Sequence, residues 1–97
     1  MSVIEKAEIV VVEGRAEEFE SVLSKALPLL REAEGCTGVT IGRGVEHPGT
    51  FLLLIEWVSV DAHMAFTKTA EFGDFVGLVK EFFAAPPGAV HYAPLSV

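Results

Sequence analysis

The stretch FLLLIEWVSVDAHMAF, Phe51 to Phe66, decides the fold. Five apolar residues run in succession, then Glu56 stands beside Trp57, and two residues later Ser59 and Asp61 offer an N-cap and an acidic first turn for a short helix. A strand with one face in water alternates apolar and polar residues. Here Phe51, Leu53 and Ile55 alternate with Leu52 and Leu54, so both faces of the strand are apolar. One face is expected under helices and the other against a second apolar surface, because an open apolar sheet face is unfavourable in water.

The flanking segments supply the helices and the remaining strands. VIEKAEIVVVEG reads as a first strand ending at Gly14. In RAEEFESVLSKALPLLREAEG, Phe19, Val22, Leu23, Ala26, Leu27 and Leu30 fall at helical spacing, Pro28 is expected to kink the helix, and Gly35 to end it. CTGVTIGRGVE is a second strand loosened by glycines, and HPGT is a turn into the strand FLLLIEWV. Thr69 is a candidate cap for a further helix with Phe72, Phe75, Val76, Val79 and Phe82 on one stripe. VHYAPLSV is the last strand. The order β-α-β-β-α-β predicts an α+β, ferredoxin-like domain with an antiparallel sheet and helices on one face, with residues 1–97 forming a single domain.

Composition narrows the partners. The chain has 97 residues, of which 51% are hydrophobic, and a chain this short hides only about two-thirds of its surface. The surplus points to a second copy of the chain, a homodimer. A net charge of −7 argues against nucleic acid and against acidic membrane surfaces. There is one cysteine, Cys36, no secretory signal pattern at the N-terminus and no apolar run near ~20 residues, so a soluble cytoplasmic protein is expected.

The residues from Ala33 to Tyr92 resemble the antibiotic biosynthesis monooxygenase (ABM) domain family. The resemblance rests on Gly35-Cys36, Arg43, Glu46 with Pro48, Trp57-x-Ser59-x-x-Ala62-His63, Phe72 and the closing His91-Tyr92, with Pro28 and the first helix in keeping. It implies a dimeric α+β barrel, two ferredoxin-like protomers packed sheet to sheet, with a pocket between sheet and helices in each. Members of the family oxidise anthrones and quinols with molecular oxygen and no cofactor; others degrade haem, isomerise small carbonyl compounds, or have no known activity.

Against this background His63 is the candidate catalytic residue, because a neutral imidazole takes a proton from a phenol near neutral pH. The plain alternative is a core histidine bonded to a backbone carbonyl. Trp57, Phe66, Phe72 and Phe75 are candidate substrate-binding walls, or ordinary core. Arg43 is a candidate for holding an anionic or phenolate oxygen, or else an ion pair with an acid such as Glu46. His91 and Tyr92 alternate on the last strand, so one faces the helices and the other the open side. Cys36 has no neighbouring base in the sequence and reads as an inert thiol, and His47 as a turn residue. No metal-ligand spacing and no flavin, nicotinamide or phosphate-loop motif occurs, so neither metal nor cofactor is expected.

The chain has no Asn and no Gln. The haem-degrading branch relies on an Asn on the first strand, a Trp on the second helix and a His further along. An ungapped match from Trp57 places the last two at Phe66 and near Val76, so haem breakdown is not expected. Cofactor-free oxygenases of the family also use an Asn, which is absent here. The leading expectation is oxidation of a small quinol- or anthrone-like aromatic with oxygen. The alternatives are isomerase-type proton transfer on a small carbonyl compound and non-catalytic binding of a hydrophobic ligand.

Overall fold

The computed structural model describes residues 2–97. Four strands, β1 (Val3–Val10), β2 (Cys36–Arg43), β3 (Thr50–Trp57) and β4 (Ala89–Tyr92), form one antiparallel sheet in the order β2-β3-β1-β4. Three helices, α1 (Ala16–Arg31), α2 (Val60–Phe66) and α3 (Ala70–Val79), follow the expected order, and a 3-10 turn at Lys80–Phe82 extends α3. This is the ferredoxin-like α+β arrangement. Among the described residues no helix is long and apolar enough to cross a membrane.

The register answers the question raised by β3. Phe51, Leu53, Ile55 and Trp57 are buried under the helices together with Ile9 of β1 and Phe19, Leu23 and Leu30 of α1. Leu52 and Leu54 lie on the opposite face, half-buried by their neighbours alone. That face is not wholly apolar. The pairs Lys6↔Leu54 and Glu8↔Leu52 set a cation and an acid beside the leucines.

Local chemistry fixes the ends. The Ser59 hydroxyl accepts from the Ala62 amide at 3.0 Å and the Thr69 hydroxyl from the Phe72 amide at 3.2 Å, so both expected caps are made. Gly35 ends the α1 connection with φ +86°, and a Cβ there would meet the Ala62 Cβ at 2.7 Å. Its absence lets α2 lie close to the sheet. The α1 helix continues through Pro28 to Arg31, with Pro28 and Ser24 both exposed, so the carbonyl that loses its amide partner is on the solvent side.

Three strand boundaries are shorter than the sequence suggested. β1 stops at Val10, because Val11 and Val12 donate to Gly49 and Phe82 and leave the ladder before Gly14. β2 stops at Arg43, where Gly44 donates to Thr50 and closes the turn. β4 ends at Tyr92, opposite Ile4, where its partner strand runs out and Pro94 has no amide to offer.

Candidate functional site

An apolar cavity of about 300 Å3 lies between the sheet and the helices. β1 contributes Glu5, Ala7 and Ile9 to its wall, β3 contributes Trp57, α2 contributes His63 and Phe66, and α3 contributes Phe72, Phe75 and Val76. Exposed residues Pro87, Gly88 and Ala89 complete the wall, so one side reaches solvent. The aromatic residues expected to bind substrate are thus brought together. Phe66 lies 5.6 Å from Trp57 and meets Phe72 edge-on at 5.6 Å.

The polar side of the cavity is a chain of four groups. Trp57 Nε1 donates to Glu5 Oε1 at 2.8 Å, and His63 Nε2 approaches the same oxygen at 3.3 Å. His63 Nδ1 faces His91 Nε2 at 2.8 Å. The His63 ring stacks on Trp57 at 5.2 Å with 16° between planes, and only 7% of His63 and 7% of Glu5 is exposed. Nε2 of His63 thus faces a carboxylate and Nδ1 faces a second imidazole, and which histidine donates in that pair follows the tautomer. Both nitrogens of His63 are therefore engaged within the protein.

Glu5 Oε2 has no side-chain or backbone partner among the described residues, yet no buried polar atom is left unpaired. The Glu5 side chain is part of the cavity wall. It is the acceptor in the site best placed to meet a ligand, and sequence reasoning missed it. Sequence alone carried no signal for it, because each alternate face of β1 holds an acid, Glu5 on one and Glu8 on the other.

Burial pushes the His63 pKa below the ordinary imidazole value; Glu5 opposes that shift and His91 adds to it. The groups facing His63 are Glu5 from β1 and His91 from β4. The sign follows from proton uptake. The unfolded chain binds a proton at about pH 6.5, where the folded His63 is still neutral, so stability is lost as pH falls through 6.5 towards the depressed folded value. Thermal melts are expected to drop more for the wild type than for His63→Gln between about pH 7.5 and 5.5. Parallel pH dependence in the two proteins would exclude a buried neutral imidazole.

The remaining candidates lie elsewhere. Tyr92 sits on the opposite face of β4 from His91 and is 52% exposed. Arg43 does not line the cavity, and its partner is not Glu46. It donates to the Pro48 carbonyl at 2.6 Å, pairs with Glu20 at 3.5 Å and Glu17 at 3.7 Å, and covers the Phe51 ring. The acids at the start of α1 capture it, while Glu46 is exposed in the turn. His47 is exposed in that turn and its carbonyl accepts from Thr50. Cys36 is half-buried, and burial raises its thiol pKa, as suits an unreactive side chain.

A family model described as antibiotic biosynthesis monooxygenase matches residues 2–78. The chain belongs to that family. Its fold agrees closely with a candidate antibiotic biosynthesis monooxygenase of Bordetella bronchiseptica, 38% identical over 98% of both chains with a TM-score of 0.92. An uncharacterized protein of Bacillus subtilis, YczJ, is 26% identical over 91% of this chain and 94% of its own. SnoaB of Streptomyces nogalater, described as a cofactor-independent oxygenase, is 16% identical over 99% of this chain and 95% of its own, with a TM-score of 0.83, and shares the fold.

Within this ABM protein Glu5, His63 and His91 point at one another in a line rather than at a common centre. Among the described residues no cluster of three or more such groups is placed to hold a metal ion. Phe66 and Val76, at or near which an ungapped match from Trp57 would set the Trp and His of the haem-degrading branch, are apolar cavity walls that offer iron no ligand. Titration with haemin is expected to give no stoichiometric Soret complex and no breakdown under reductant and oxygen. A tight complex whose haem band then disappears would overturn that expectation.

Proposed function

We propose that this ABM protein is a cofactor-independent monooxygenase that oxidises a small quinol- or anthrone-like aromatic with molecular oxygen. The observation that carries the reading is a carboxylate, that of Glu5, in the wall of a mostly aromatic and aliphatic cavity. Its volume is at the lower end of the ~300–1,000 Å3 usual for ligand sites, which suits up to three fused rings better than four.

Glu5 takes the acidic proton of the bound substrate. His63 and Trp57 hold the carboxylate in place through their N–H groups, and His91 fixes the His63 tautomer. His63 is then a positioning residue rather than the group that meets the substrate. The resulting anion passes one electron to oxygen, and the radical pair recombines to a peroxide. For an anthrone-type CH2, Glu5 returns the proton to the peroxide. Loss of the second C–H proton then breaks the O–O bond, leaving a carbonyl and water. Substrate and one O2 give product and one H2O with no outside reductant.

Oxygen uptake with a panel of hydroquinones, naphthols and anthrones tests the reading, and uptake matched by product carbonyl supports it. No uptake, combined with anaerobic solvent-deuterium exchange beside a carbonyl, would favour isomerase-type proton transfer by the same carboxylate. Binding without either reaction would leave a carrier of small hydrophobic ligands. The proposed working form is a homodimer packed through the open sheet faces.

A further inference from the structure

The cavity holds one carboxylate and no cation to balance it. Trp57 donates to Glu5 Oε1, His63 Nε2 stands 3.3 Å from the same oxygen, and the Glu5 side chain is part of the cavity wall. Among the described residues no Lys or Arg lines the wall, and its polar side chains are Glu5, His63, Thr67 and the indole N–H of Trp57. The two arginines nearest in the fold to ring systems are held elsewhere, Arg43 by Glu17 and Glu20 and Arg15 by Glu18 and Glu81. Burial lowers the His63 pKa and so disfavours a compensating positive charge there.

A carboxylate in a mostly apolar cavity wall favours a ligand that brings an O–H donor. It repels one that brings a second negative charge, and the repulsion is far stronger there than in bulk water. We infer that Glu5 sets the ligand class of this cavity: small uncharged aromatics bearing a hydroxyl are accepted, and aromatic carboxylates are rejected. The inference deepens the proposed function and rests on it for the use of this cavity, but binding alone tests it.

Isothermal titration calorimetry with naphthol and naphthoate at neutral pH separates the two classes, since the rings match and only the charge of the polar group differs. The Trp57 indole N–H resonance, from the chain's single tryptophan, marks whether the ligand enters this cavity. Naphthol is expected to bind at least about ten-fold more tightly than naphthoate and to shift that resonance. Glu5→Gln, whose amide oxygen still accepts from Trp57, is expected to close most of the gap by strengthening naphthoate. Equal or tighter binding of naphthoate to the wild type, an unchanged ratio in a folded Glu5→Gln, or no binding of either ligand would overturn the inference. Selective naphthol binding with no oxygen uptake from any reduced aromatic would uphold it and remove the oxygenase reading.

Discussion

Glu5→Gln is expected to lower oxygen uptake by about 100-fold or more with a confirmed substrate, the usual scale for loss of a general base. The substitution preserves volume, and the amide oxygen can still accept the Trp57 N–H now found at 2.8 Å. What it loses is the ability to take and return a proton. His63→Gln is expected to fall by a similar factor, because it removes the imidazole that fixes Glu5 from one side and meets His91 on the other. His91→Ala, one step further from the cavity, is expected to cost ten-fold or less. His63→Ala is a poorer probe. The ring is buried and stacked on Trp57, so truncation leaves a hole and costs stability on the scale of a few kcal/mol. Circular dichroism checks folding in each case. A folded Glu5→Gln that consumes oxygen at the wild-type rate would remove the carboxylate from the mechanism.

Much of this protein can be read from its sequence because its strongest patterns are local. The unbroken FLLLI run, the Ser59 and Thr69 caps and the helical spacing of Phe75, Val79 and Phe82 each depend on near neighbours, and each matches the structure. Glu5 was not legible for a physical reason. On VIEKAEIV one alternate set is Val3, Glu5, Ala7 and Ile9, and the other is Ile4, Lys6, Glu8 and Val10. Both contain an acid, so composition does not say which acid is inside. Pairing with β3 decides it, by setting Glu5 opposite Ile55 on the helix-covered face. Arg43 shows the converse. It was a reasonable anion holder by type, but it pairs with Phe51, six residues along β3 from Trp57. At ~3.4 Å per residue that is about 20 Å from Trp57 and about 14 Å from Ile55, the residue opposite Glu5.

Leu52→Asp is expected to dissociate the proposed dimer at micromolar concentration. The open face of the sheet carries Leu52 and Leu54 at its centre, with Val10, Val90 and Tyr92 about half exposed around them. Packing against a second copy would bury this face. In a two-fold interface the new charge enters twice. An uncompensated buried charge costs about 3–5 kcal/mol, and a micromolar to nanomolar dimer is held by only about 8–12 kcal/mol, so two such charges remove most of the association energy. Position matters because the cross-strand neighbours differ. Leu52 lies opposite Glu8, which would repel the new aspartate, whereas Leu54 lies opposite Lys6, which can pair with it. Leu54→Asp is therefore expected to weaken the dimer less. Sedimentation or light scattering across a dilution series reads both variants against the wild type. A wild-type monomer at micromolar concentration, or a Leu52→Asp protein that stays dimeric, would show that the open face is not the interface.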